Sequence, residues 1–263
     1  ACTKMSPEDG VARHDGTLVR LTVSLPQPAL PTKGARAGSL SGDAENRIED
    51  VMILVLEQEN GKYVYRYMTE GERLESTGSG TQFQAKLLST SKPVKLMLAG
   101  NYGDAFAAYA PSPSHSEAEV KAGIGCSFTG AAQSLPMYGE IAVPSGLEAD
   151  RENRFSVKML RAVARIDVEK DLTADSRPLR IESVRLYRPN DKIQLAPDES
   201  FAPESPQVTA PSVFAGAVKS QSPVVTETSE PDPVSIAGIY VPEADGVADA
   251  AARLTEATCI VVG

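Results

Sequence analysis

The chain has 263 residues, with 26 Lys and Arg against 35 Asp and Glu (net −9), 41% hydrophobic and 5% aromatic residues, three Cys and no Trp. No apolar run approaches the roughly 20 residues of a membrane-spanning helix. A pI near 4.9 with no basic stripe speaks against nucleic acid as a partner, because phosphates select clustered Lys and Arg. The length allows one large domain or two modest ones of about 100–200 residues.

Cys2, Cys126 and Cys259 form no CxxC pair, so neighbouring thiols build neither a zinc site nor a dithiol redox motif. His14 and His115 lie in stretches rich in Gly, Pro and Ser and read as loop histidines. Cys2 follows Ala1 and precedes a polar stretch, the pattern of a bacterial lipoprotein signal in which Ala1 is the last residue removed and Cys2 takes the lipid; the alternative is a Cys placed there by accident. Spacing leaves open whether Cys126 and Cys259 pair, and two buried thiols are the default reading.

Residues 17–25 alternate strictly, with Val19, Leu21, Val23 and Leu25 on one face and Arg20, Thr22 and Ser24 on the other, which predicts a half-buried strand. Three prolines and a run of Gly, Ala, Ser, Thr, Lys and Arg follow, so residues 26–39 read as a long exposed linker. From Val51 the segment 48–56 is apolar on both faces and predicts a central strand. Asn60-Gly61 is the strongest turn signal in the chain, with Tyr63 to Tyr67 as the return strand of a hairpin. Residues 83–88 and 94–99 are further strands. Ser116 followed by Glu119 predicts a capping box on a helix of about two turns through Ala122.

In residues 155–168 the apolar parity changes: Phe155, Val157 and Met159 share one face, and Leu160, Ala162, Ala164, Ile166 and Val168 the other. That predicts a bulge or a strand leaving one sheet for another near Leu160; a helix over 157–166 is the competing reading, since Lys, Met, Leu, Arg and Ala are good helix formers. Beyond Asp171 acidic residues outnumber basic ones more heavily, which places a second domain from residue 173. Strands are expected at 179–187, 235–241 and 258–262, and the proline-rich 197–233 reads as edge strands and loops. The chain ends at Gly263 inside an apolar strand pattern, so the second domain is expected to be incomplete at its end.

No catalytic constellation is legible: there is no Gly-Lys-Ser or Gly-Lys-Thr phosphate loop, no Gly-x-Ser-x-Gly elbow and no triad context for either His. The carboxylates read as solvated. The chain is accordingly read as a non-enzyme with no catalytic residue, cofactor or metal.

The order of the Cys2 start, the strand 17–25 with its Arg36-Ala37 linker, the stretch 135–140, the strand 160–168 and Ile239-Tyr240-Val241-Pro242-Glu243 resembles the Bacteroidales fimbrillin family, the lipoprotein-derived pilins of type V pili. The resemblance implies an all-β protein of two transthyretin-like β-sandwiches with one or two short helices, divided as a 1–16 lipoprotein tether, a 17–172 domain with a cleavable first strand and a 173–263 domain. It further implies export as an outer-membrane lipoprotein with Cys2 as the anchor, and cutting by an Arg-specific or trypsin-like protease between Arg36 and Ala37. Neighbouring pilin subunits would then assemble by donor-strand exchange into a cell-surface fimbrium that supports adhesion to a host or bacterial ligand. Arg36 on its own reads as an ordinary solvated loop residue, and Lys33 and Arg47 are rival cut sites. Stalk subunits of the family carry donor strands at the C-terminal end, and nothing after Val262 serves here, so either the sequence is truncated or the subunit sits at the anchor or tip. A different class of function is a non-polymerising binding lipoprotein, for which Tyr63, Tyr65 and Tyr67 on one strand face are the best glycan-platform candidates, although core or sheet-face packing is the preferred use of these rings.

Overall fold

A computed structural model describes residues 16–25, 46–77, 80–102, 109–127, 135–170, 180–202, 208–227, 235–249 and 251–263. Cys2, His14, Lys33, Arg36 and Ala37 lie outside them.

The alternation at the start of the chain becomes β1 (Thr17–Ser24), whose residues are alternately buried and half-buried along its length. β2 (Val51–Glu59) and β3 (Lys62–Thr77) form the hairpin that Asn60-Gly61 announces, with Asn60 at φ 50° and Gly61 at φ 78°, the left-handed pair that a two-residue primed turn demands. β3 is long enough to serve two ladders: through Gly71 it pairs with β2, and from Glu72 it pairs with β4 (Gly80–Leu87). β5 (Val94–Gly100) flanks β2 on its other side and in turn pairs with β7 (Met137–Val143).

The parity change near Leu160 is a sheet switch. β8 (Asn153–Lys158) lies parallel to β1, the Met159 amide donates to the Ser24 carbonyl at 2.8 Å, and β9 (Leu160–Arg161) then pairs with β7 at the opposite edge. The resulting eight-stranded sheet runs β8-β1-β4-β3-β2-β5-β7-β9. Because consecutive strands β8 and β9 form its two edges, the sheet folds over into two facing layers. Val19, Leu21 and Val23, Phe83 and Leu87, Ile53 and Val55, Leu96 and Leu98, and Val157 and Met159 fill the space between them.

The outer face of β2, β5 and β7 is buried as well. Leu54, Leu56, Met97, Ala99 and Tyr138 pack beneath α1 (Glu117–Gly123) and the segment carrying Leu195, Ala196 and Phe201. α1 has the predicted capping box, with the Ser116 side chain accepting from the Glu119 amide and the Glu119 side chain accepting from the Ser116 amide. The covering segment is tied down by a short ladder between β6 (Gly125–Ser127) and β12 (Lys192–Gln194), which crosses the boundary expected at residues 172/173.

Among the described residues, the remaining strands make two small sheets. β10 (Val163–Glu169) pairs with β14 (Ser235–Pro242), and β11 (Ser183–Tyr187) lies between β13 (Val224–Glu227) and β15 (Cys259–Val262). Ile181, Val184, Ile236 and Ile239 form their buried core. A four-residue helix, α2 (Arg253–Glu256), precedes β15.

Candidate functional site

The site is the seat of the first strand. β1 makes no hairpin with the strand that follows it: its partners are β4, antiparallel, and β8, parallel, more than 55 and 125 residues further on. Its only covalent route to these neighbours runs through the linker after Leu25. Across the seat, inward rows align Phe155, Leu21 and Phe83, and Val157, Val23 and Thr81. Val19, Leu21 and Val23 are completely shielded from solvent, and Leu25 packs half-buried against the same core. The three shielded side chains correspond to about 5–9 kcal/mol of transfer free energy, at roughly 1.5–3 kcal/mol each.

Both ends of the seat are specialised. At the entrance the buried Thr17 hydroxyl donates to the Glu148 carbonyl at 2.5 Å and accepts from Asn153 Nδ2 at 2.9 Å. Asn153 also holds the turn itself, donating to the Glu148 carbonyl at 3.0 Å and accepting from the Glu148 amide at 3.1 Å. At the far end Gly80 sits at φ +144°, where an added Cβ would come within 2.4 Å of the Val23 carbonyl. Only glycine allows this close approach of the two backbones. On the outer, polar face Arg20 Nε lies 2.9 Å from Glu152 Oε1, an ion contact without hydrogen-bond alignment, and Glu152 is also bound by Arg154 Nε at 2.7 Å.

A second polar assembly lies between α1 and the sheet. Lys121 Nζ contacts Glu140 Oε2 at 3.0 Å and Glu117 Oε1 at 3.3 Å, Lys95 Nζ contacts Glu117 Oε1 at 2.7 Å, and the Tyr138 hydroxyl donates to Glu140 Oε2 at 2.8 Å. Lys121 and Glu140 are each only 3% exposed. The reading of the carboxylates as solvated fails at Glu140, because a charged partner from α1 and a phenol from its own strand replace its water. Burial works to raise the Glu117 carboxyl, but the hydrogen bond and charge of Lys95, joined by Lys121, hold it below the ordinary carboxylate range. Burial also raises the Tyr138 phenol, and the Glu140 carboxylate beside it adds to the rise.

The tyrosine platform is corrected. The β2–β3 register shifts between Val55 and Leu56, so Arg66 is the extra residue of a bulge. Tyr63 and Tyr65 therefore turn toward the α1 side, whereas Tyr67 packs on the core between the layers and accepts a hydrogen bond from the Leu88 amide at 2.8 Å. The three rings do not share a face. Burial pushes the Tyr67 phenol up to about 12.

Cys126 and Cys259 are free, as the default reading has them, but half-buried rather than fully buried. Burial pushes the Cys126 thiol up to about 11. Cys259 Sγ accepts from Arg188 Nη2 at 3.3 Å. The His115 backbone carbonyl accepts from the Tyr65 amide, and its ring Nδ1 accepts from the Ser112 amide at 3.3 Å, so the residue caps a loop.

No protein-family model and no curated protein sequence matches the chain. Among solved structures, it is similar to the tip fimbrial protein Mfa3 from Porphyromonas gingivalis with a C-terminal truncation: 13% identity, 94% of this chain and 77% of that chain covered, TM-score 0.51. The chain therefore shares the fold of a fimbrial protein. Two candidate adhesins from Bacteroides ovatus, each 12% identical, align with 84% and 89% of this chain and 71% of their own, at TM-scores of 0.39 and 0.32 too low to carry an argument.

Proposed function

We propose that the chain is a structural or accessory subunit of a bacterial surface fimbria, exported as an outer-membrane lipoprotein through Cys2 and primed by cleavage between Arg36 and Ala37. β1 is then the exchangeable strand. Cutting the linker leaves Val19, Leu21, Val23 and Leu25 held without a covalent link, and a strand from a neighbouring subunit restores both ladders and the buried rows when it replaces them. The domain division at 172/173 into two transthyretin-like sandwiches belongs to the same reading. So does an adhesive role with no catalytic step.

The observation that carries this reading is the insertion of β1 between β4 and β8, strands distant from it in sequence, with three fully shielded side chains and a single covalent exit. The test is limited trypsin digestion of the full chain, intact-mass analysis, and gel electrophoresis in SDS without boiling. A cut after Arg36 followed by heat-labile ladders is the expected result. A linker that resists cleavage, with protein that stays monomeric, would defeat the proposal.

A further inference from the structure

We infer that the seat of β1 selects its replacement by chemistry as well as by apolar alternation: the incoming strand, supplied by a different subunit, carries a hydroxyl two residues before its first buried apolar side chain and a basic residue three after that hydroxyl. This inference rests on the strand-exchange reading and names the partner of the same site.

The hydroxyl requirement comes from the entrance. Thr17 is 1% exposed, and its Oγ1 reaches the Glu148 carbonyl at 2.5 Å and the Arg151 carbonyl at 3.2 Å while accepting from Asn153 Nδ2 at 2.9 Å. The receptor for this hydroxyl is built by the protein and not by β1, since Asn153 closes the 148–153 turn through its own bonds to Glu148 and to the Arg151 carbonyl. An apolar side chain at the Thr17 position would forfeit the hydroxyl's hydrogen bonds and leave the Glu148 and Arg151 carbonyls with Asn153 Nδ2 alone, a loss on the scale of one net hydrogen bond. The basic requirement is the weaker of the two. Glu152 projects onto the outer face beside Arg20 with side chains 24% and 33% exposed, so an acidic residue there would meet like charge, whereas a basic one is favoured modestly.

The full pattern, Ser or Thr, any residue, apolar, basic, apolar, any residue, apolar, is met in the 263 residues by Thr17 to Val23 alone. Thr81 to Leu87 and Ser235 to Val241 have the hydroxyl and the alternation but carry Gln84 and Gly238 where the cation belongs. These segments are already paired within the fold. Outside β1, no segment of these 263 residues repeats the full pattern, and the inference assigns the donor to a different subunit.

The experiment uses the full chain, trimmed with trypsin that is then inhibited, and incubated with synthetic peptides of residues 17–25: the native sequence, Thr17→Ser, Thr17→Val and Arg20→Glu. Native mass spectrometry reads the fraction of protein carrying each peptide. The native and Thr17→Ser peptides are expected to load within about threefold of one another, with Thr17→Val weaker by about tenfold and Arg20→Glu by about threefold. Equal loading of all four would overturn the selectivity while leaving strand exchange standing. No loading of any peptide would overturn both, and a dimer bearing a second copy's β1 in place of peptide would overturn the assignment to a different subunit.

Discussion

Strands β1 and β15 are both short and apolar and both follow or begin with Thr, yet Val19, Leu21 and Val23 have no exposure whereas Val261 and Val262 are 47% and 49% exposed. The difference is neighbourhood. β1 lies between two strands of an eight-stranded sheet and beneath a second layer, while β15 is the edge of a three-stranded sheet whose buried core is Ile181, Val184, Ile236 and Ile239. Composition sets which face of a strand is apolar; pairing on both edges and cover from a facing layer decide how much of that face leaves water. A strand exchanged between subunits must come from the first environment, because only there does its removal leave a groove deep enough to recruit a replacement.

The comparison is broken most severely by attacking the buried ion cluster that fastens α1 to the well-covered side. Lys121→Met leaves the buried Glu140 with only the longer contact to Lys95 at 3.6 Å and should cost up to about 3–5 kcal/mol, measured as a loss of urea stability. Leu21→Ala should cost about 2–5 kcal/mol by cavity formation, while Val261→Ala, on the exposed edge, should stay within about 0.5 kcal/mol. Equal effects at Leu21 and Val261 would erase the distinction between the two environments. Ser116→Ala removes the cap of α1 and should lower stability by about 1 kcal/mol.

Acid titration sharpens the same contrast. The folded Glu117 carboxyl titrates below its unfolded value, so the stability it contributes is present above the ordinary carboxylate range and is lost as the pH falls through the folded value. Thermal stability of the wild type should therefore drop more steeply below about pH 4.5 than that of Glu117→Gln. The smallest expected effect is kinetic: the Cys126 thiol, raised to about 11 by burial, should be alkylated slowly at pH 8 in the native protein and quickly after denaturation.

Much of this architecture is legible in the sequence wherever a local rule is strong. The unbroken alternation of 17–25 announces β1, Asn60-Gly61 announces its hairpin, Ser116 and Glu119 announce the cap of α1, and the change of apolar parity at Leu160 announces the sheet switch. Features set by distant partners are not legible. The bulge at Arg66 leaves no trace in a run where every second residue is Tyr, so the ring of Tyr67 is read onto the wrong face. The three-residue ladder of β6 with β12 is too short to show a period. Glu117 and Lys121 stand one helical turn apart and could be paired from sequence, but Lys95 and Glu140 join them only because β5 and β7 are neighbours in the folded sheet. At the β1 seat, the apolar residues could be named in advance. The receptor for the Thr17 hydroxyl could not, because Glu148 and Asn153 lie more than 130 residues away.

The central claim, that β1 is held in place by pairing and burial and can be separated from the rest of the chain once the linker is cut, is tested most directly by comparing native and denaturing masses of the trypsin-trimmed protein. The account predicts a native mass equal to the whole, with the N-terminal piece ending at Arg36 still seated, and two separate masses in denaturant. A single uncut mass in denaturant, or a native mass from which the N-terminal piece has already gone, would contradict it.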